Sequence, residues 1–241
     1  MQDQHLSERE LKKRCEVACV EGDIATLETL HSTEHPYPWE EDACRLAASH
    51  GQIGTLKWLR ALDPPCPWDD LVCDVAVNVE TLEWLRAQDP PCPWGKWSCA
   101  YAAKFGLVQN LEWLRAQDPP CPWDALTCTY AAESGEIETL RWLRAQEPPC
   151  PWDESTCACV AKNAQLETLQ WLRAQEPPCP WDESTCAYAS AHWDRTMLTW
   201  LRAQDPPCPW NDLTRRNNES MFPRLFGIVT RLFSFLNFQH T

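Results

Sequence analysis

Apolar residues recur along this chain at helical spacing in short bursts, each closed by Pro-rich punctuation. In the stretch 124–152, DALTCTYAAESGEIETLRWLRAQEPPCPW, Cys128, Ala131 and Ala132 share one helical face, while Ile137, Leu140, Trp142 and Leu143 mark a second amphipathic run. Asp124 follows Pro-Trp and suits an N-cap, because its carboxylate accepts a backbone N–H that the helix leaves unpaired. Gly135 suits the left-handed residue that ends the first helix. The second helix is predicted to stop at Glu147, since Pro148 disfavours helical dihedrals in the residue before it, and the Pro-Pro-Cys-Pro run is predicted to be extended. The stretch reads as helix A, turn, helix B and Pro-rich loop.

The same phrase is copied along the chain. The Trp of each Pro-Trp pair stands at Trp39, Trp68, Trp94, Trp123, Trp152, Trp181 and Trp210, at spacings of 29, 26, 29, 29, 29 and 29. Seven units follow, 11–39, 40–68, 69–94, 95–123, 124–152, 153–181 and 182–210, between a leader at 1–10 and a divergent segment at 211–241. A single helix pair leaves apolar surface on both sides, so stability requires stacking against neighbouring units. Unit 69–94 is three residues short around Val77 and Asn78, which predicts a distorted turn or a bend. In unit 153–181 Ala164 replaces the turn glycine, and Asn163 is the expected left-handed residue. In unit 182–210 the turn reads Ala191, His192, Trp193, Asp194.

The segments ACRLAASHGQIGTLKWL in the second unit and TCTYAAESGEIETLRWL in the fifth resemble the ankyrin pattern TPLHLAAxxGHLEIVKLLL, and STCAYASAH is a weaker copy with Ser190 at the second alanine. Cys128 stands at the first Leu, Tyr130 at the second, Ala131 and Ala132 at the paired alanines, Gly135 at the glycine, and Ile137, Leu140 and Leu143 in the helix B core. The resemblance implies an all-α, ankyrin-like α-solenoid of about seven helix-turn-helix repeats that acts as a protein-protein interaction scaffold or adaptor. Ankyrin units run to about 33 residues. This chain is shorter between helix B and the next helix A, which implies Pro-rich loops in place of β-hairpin fingers. Family members contact partners through finger tips and helix A, and such stacks bend so that helix A lines the concave side. With the fingers cut, helix A remains.

Composition narrows the partners. Net charge is -14, with Arg215, Arg216, Arg224 and Arg231 against Asp212 and Glu219 in the last segment, so the repeats carry the acid. An acidic body repels phosphate backbones and anionic headgroups, so no nucleic acid is expected, and a basic or apolar protein partner suits it better. Met1 to Cys15 lacks the apolar stretch of a secretory signal, and no uncharged run reaches the length of a membrane span. The expectation is an intracellular, cytoplasmic monomer, with the nucleus left open. The 15 cysteines cannot all pair, which agrees with a reducing compartment.

Cysteine spacing of the form Cys-x6-Cys, as in Cys150 with Cys157 and Cys179 with Cys186, admits metal, redox and packing readings. Zinc needs about four converging ligands, whereas equivalent cysteines in stacked helices lie about 10 Å apart, so small core positions are the preferred reading and no metal or cofactor is expected. Two tryptophan columns, Trp58, Trp84, Trp113, Trp142, Trp171 and Trp200 on helix B and the loop series, read as packing between units. Arg60, Arg86, Arg115, Arg144, Arg173 and Arg202 each precede an acid by three residues and read as exposed pairs on a solvated face. The six His form no repeated column, and there is no Gly-rich phosphate loop, so no enzyme activity is expected.

Variation between units marks the surface free to specialise. It falls at the start of helix A, at Asp70, Lys96, Trp97, Ala125, Glu154 and Glu183, and at its end, at His50, Lys104, Phe105, Glu133, Lys162 and His192. Trp97 and Phe105 are the expected apolar anchors. The competing reading is a structural or inert repeat array, since units 153–181 and 182–210 share DESTCA and WLRAQ. Beyond Trp210, Phe222, Leu225, Phe226, Ile228, Val229, Leu232, Phe233, Phe235 and Leu236 form a broad apolar face opposite Arg224, Gly227, Arg231 and Ser234. That segment, 221–238, suits either a cap over the last repeat or a helix that touches a membrane or partner.

Overall fold

A computed structural model describes residues 7–32, 41–191 and 195–210. Among them are fourteen helices and no strands. They alternate as A and B members of seven pairs: α1 (Glu8–Glu21) with α2 (Ile24–His31), α3 (Glu41–Ser49) with α4 (Ile53–Arg60), α5 (Asp70–Asp74) with α6 (Val79–Arg86), and α7 (Lys96–Lys104) with α8 (Val108–Arg115). The remainder are α9 (Ala125–Glu133) with α10 (Ile137–Arg144), α11 (Glu154–Lys162) with α12 (Leu166–Arg173), and α13 (Glu183–Ala191) with α14 (Arg195–Ala203). Trp39, His192 and the whole of 211–241, including the predicted C-terminal helix, lie outside the described residues.

The chain divides into two compact bodies, Met1–Pro151 and Trp152–Thr241. In the first, α1 packs on α3, α3 on α5, α5 on α7 and α7 on α9, while α2 packs on α4 and α6 on α8. In the second, α11 packs on α13, and each packs on its own B helix. This pairing of sequence-adjacent helices is consistent with a helical repeat solenoid. The cause is local: helix A presents mainly small residues inward, Cys and Ala with Thr127, Thr156 and Ser98, so helices approach closely, and helix B fills the remaining space with fully buried leucines such as Leu111, Leu114, Leu140 and Leu143. No described helix is long and apolar enough to cross a membrane.

Helix boundaries follow the expected chemistry at the start of helix A. Asp124, Asp153 and Asp182 accept the N–H of Leu126, Ser155 and Ser184 at 3.0, 3.0 and 2.9 Å. Helix α1 begins at Glu8, inside the segment read as a leader, because Ser7 and Glu10 cap its first turn reciprocally. Gly135 takes φ 76° after α9, as its position demands. In the glycine-less unit the left-handed residue is Ala164 itself, at φ 55°, and not Asn163, at φ -97°. The turn is fixed by bonds from Ala164 N to Ala161 O and from Gln165 N to Val160 O, both 3.2 Å, so whichever residue occupies this position must adopt the conformation. A side chain costs about 1–2 kcal/mol there. Ala164→Gly should therefore raise stability by about 1 kcal/mol in chemical denaturation, after the greater flexibility of unfolded glycine is subtracted.

Helix B ends three residues earlier than Pro148 alone requires. α10 stops at Arg144, and a turn and bends over 145–148 bring the loop back over the helix end. The reason recurs in six units: the N–H of Cys66, Cys92, Cys121, Cys150, Cys179 and Cys208 donates to the carbonyl of Leu59, Leu85, Leu114, Leu143, Leu172 and Leu201 at 2.9–3.1 Å. One of the carbonyls that a helix end leaves unpaired is thus satisfied by its own loop. The acid–Pro bond opening each of these six loops is cis.

The arginine ladder is likewise not a row of solvated ion pairs. Arg60, Arg86, Arg115, Arg144, Arg173 and Arg202 each donate to the carbonyl of the loop Cys six residues on, at 2.6–2.8 Å. In five units the guanidinium also lies over the loop Trp, 3.9–4.8 Å from the ring centroid. A planar cation satisfies the loop carbonyl and stacks at once, whereas the neighbouring acid is exposed to water. Loop tryptophans meet the next helix B Trp edge to face at Trp68–Trp84, Trp94–Trp113, Trp123–Trp142 and Trp181–Trp200, with centroids 5.8–6.3 Å apart. The tryptophans therefore pack between units, but half-buried at the margin of the core.

In the short unit the missing residues are taken from helix A itself, and α5 spans only Asp70–Asp74. Neighbours fill in: Val77 N–H donates to Ala48 O at 3.3 Å, and buried Asn110 donates to Ala76 O at 2.9 Å. Asp74 is buried beside Ser98, whose hydroxyl donates to it, and burial pushes its carboxyl up to about 6. Between about pH 4 and 6 the folded state holds a proton that the unfolded chain has lost, so stability falls as pH rises through that window and then levels off. The loss amounts to about 3 kcal/mol, and to about 2 kcal/mol once solvent screening is allowed for. Asp74→Asn keeps an acceptor for Ser98, and urea titrations from pH 4 to 8 should show that slope removed and the variant more stable at pH 7.

Candidate functional site

Two residues beyond each inward Cys, a helix A side chain turns outward. This places Val17, Leu46, Val75, Tyr101 and Tyr130 in one column along the first body, and Cys159 and Tyr188 at the same register in the second. The inward cysteines are fully buried, yet Val17 is 44 % and Tyr188 42 % exposed, and the others are half-buried. The column is apolar or aromatic at every described unit although it faces solvent.

Along α1, α3 and α5 it forms the floor of an open groove of about 730 Å³, with Val17, Val20, Leu46 and Val75 below and Glu16, Glu21, Asp42 and Arg45 around it. Arg45 is fixed by Asp42 at 2.7 Å and by Asp69, whose carboxyl it holds below the usual carboxylate range. Along α7 and α9 the stripe becomes aromatic. Trp97, Tyr101 and Tyr130 sit in mutual contact, with ring centroids 5.9–6.4 Å apart. Lys96 lies 5.6 Å from the Trp97 ring and 3.1 Å from Asp124, and Lys104 lies 5.3 Å from the Tyr130 ring. Phe105, just past α7, is 61 % exposed.

The predicted surface residues divide accordingly. Lys96 and Trp97 meet in the first turn of α7, while Lys104 and Phe105 lie at its other end, Lys104 beside Tyr130. Asp70, Ala125 and Glu133 occupy ends of α5 and α9, and His50 follows α3. Glu154, Lys162 and Glu183 belong to the second body and are exposed at the ends of α11 and α13. Sequence patterning missed Tyr101, Tyr130 and the aliphatic groove. In the ankyrin pattern Tyr130 stands at a core leucine, but the phenol lies two residues from Cys128 and so on the opposite side of the helix. The spacing of Cys to Tyr was the signal that would have placed it outward. Compared with known proteins, the chain matches no family model, and no curated protein matches it significantly.

Proposed function

We propose that this protein is a short-loop variant of the ankyrin repeat and works as a protein-protein interaction scaffold without catalytic activity, gripping an apolar segment of a protein partner along the helix A stripe. The observation that carries the reading is the outward column from Val17 to Tyr130, apolar in five successive units while remaining accessible. Water-facing apolar residues in a contiguous line cost solubility, and such patches mark binding surfaces. The aromatic end supplies rigid anchors of the kind that concentrate binding energy, with Lys96 and Lys104 at its rim. An inert array has no reason to keep the column apolar while neighbouring surface positions vary between units.

Affinity capture with the full chain tests this, comparing Trp97→Ser combined with Tyr130→Ser against Glu112→Ala on the exposed face of α8. A partner retained by the wild type and the Glu112 variant, and reduced at least about tenfold by the double change, is the expected result. Equal recovery with all three proteins removes helix A as the working surface.

A further inference from the structure

All fifteen cysteines are reduced, and fourteen are buried. Twelve of them fall into pairs that the Cys-x6-Cys spacing conceals, because each pair lies within one unit: Cys44 with Cys66, Cys73 with Cys92, Cys99 with Cys121, Cys128 with Cys150, Cys157 with Cys179, and Cys186 with Cys208. One partner is on helix A and the other in the Pro-rich loop. From the second of these pairs onward, the helix thiol points at the backbone carbonyl of the loop Cys, 3.6–3.9 Å away. The loop thiol in turn points at the carbonyl of the residue that begins helix A, at 3.3–3.6 Å. Each thiol of these pairs thus reaches backbone beside the other, and both sulfurs are enclosed in one buried space.

Simple packing does not ask for sulfur on both sides of a contact. The other inward positions of helix A are filled by Ala, Thr, Ser or Val, yet sulfur recurs on both sides of this one contact in six units. The short unit is informative here. Its deletion falls between Cys73 and Cys92 and cuts their separation from 22 residues to 19, yet the pair remains in contact. No third His, Cys, Asp or Glu converges on any pair among the described residues, so each pair offers two sulfurs and nothing more.

We propose that the six pairs are latent disulfides, closed by a hydroperoxide to lock each loop onto the helix A of its own unit. In the first step one thiol, as its thiolate, attacks the peroxide oxygen and becomes a sulfenic acid while the hydroperoxide leaves as an alcohol, or as water from hydrogen peroxide. In the second step the partner thiol attacks the sulfenic sulfur, forms the S–S bond and releases water. Two thiols are oxidised and one peroxide is reduced per pair. The partner thiol and burial push Cys44, Cys73, Cys99, Cys150 and Cys208 above the ordinary thiol range, while Cys121 and Cys186 are held below it by their partner thiols. Because both sulfurs are buried, peroxide reaches them only when the loop lifts locally, and the second step follows at once because the partner is already in place. The lock is independent of the binding reading above.

The test is hydrogen peroxide treatment of the folded full chain, followed by alkylation in denaturant and peptide mapping, with helicity followed throughout. The expected products are the six within-unit linkages, with Cys15, Cys19 and Cys159 outside them, at a rate that levels off with peroxide concentration because loop opening limits it. Cys128→Ala should remove one linkage, leave Cys150 open to alkylation or to a sulfenic acid trap, and leave the other five intact. Linkages of the Cys121–Cys128 type overturn the proposal. So does persistence of the paired thiols at a peroxide dose that fully oxidises an exposed dithiol peptide, and so does linkage that follows loss of helicity.

Discussion

Leu111→Ala should destabilise the folded chain by about 2–5 kcal/mol, measured as the shift in denaturant midpoint times the unchanged slope. Leu111 is fully buried on α8, where its helix packs against both α6 and α7, so truncation leaves a void bounded by three helices. Helix A offers little to fill it, since Ser98, Cys99, Ala102 and Ala103 are small and already in contact range of the backbone they support. Glu112→Ala, one residue on and exposed, should change stability by less than about 0.5 kcal/mol. Similar values for the two would mean that helix B does not face the interior as described.

The second large effect belongs to Arg115. Its guanidinium donates to Cys121 O at 2.7 Å and lies 4.1 Å from the Trp123 centroid, while Cys121 N–H returns to Leu114 O at 2.9 Å. Removing the side chain breaks a charge-assisted bond, uncovers the indole and leaves the loop carbonyl with only the weak Cys99 thiol contact at 3.9 Å. Arg115→Ala should cost about 2–4 kcal/mol in the same titration. Arg115→Lys should recover part of that, because an ammonium can reach the carbonyl but cannot stack as a plane. A loss near zero would return the arginine to the solvated face that its spacing from Asp118 first suggests.

That contrast marks what was legible beforehand. Periodicity placed Asp124 at a helix start, Gly135 at a left-handed turn and Leu140 and Leu143 in the core, because each depends on neighbours within one or two turns. The end of helix B was placed three residues late for the opposite reason. Proline restricts the residue before it, which is a local rule, but the return of Cys150 N–H to Leu143 O and of Arg144 to Cys150 O is decided by satisfaction of polar groups across the fold. The invariant separation from Arg to Cys-Pro-Trp recorded that contact in the sequence, and an acid three residues from the Arg offered a simpler partner that concealed it.

The candidate surface divides in the same way. Trp97 and Phe105 stood out because they differ from other units, and they lie at opposite ends of α7, Trp97 in its first turn and Phe105 just past its last. Tyr101 and Tyr130 did not, because a repeated aromatic in an Ala-rich helix suggests core packing until the register relative to the buried Cys is counted. The aliphatic groove at Val17, Leu46 and Val75 follows the same register and was hidden by its ordinary residue types. Ala164 shows the limit of residue preference: the turn was predicted from what Asn tolerates, whereas the bonds of the turn fix which position is left-handed.

The central structural claim is that each unit is a helix pair closed by its own loop, and backbone amide exchange measures it directly. In the intact, native chain the amides of Cys66, Cys92, Cys121, Cys150, Cys179 and Cys208 should exchange as slowly as the interior amides of the helix B that receives them, since each is buried and bonded to a leucine carbonyl. Exchange at the rate of an unstructured peptide at these six positions would show that the Pro-rich segments are open linkers, and would contradict the account.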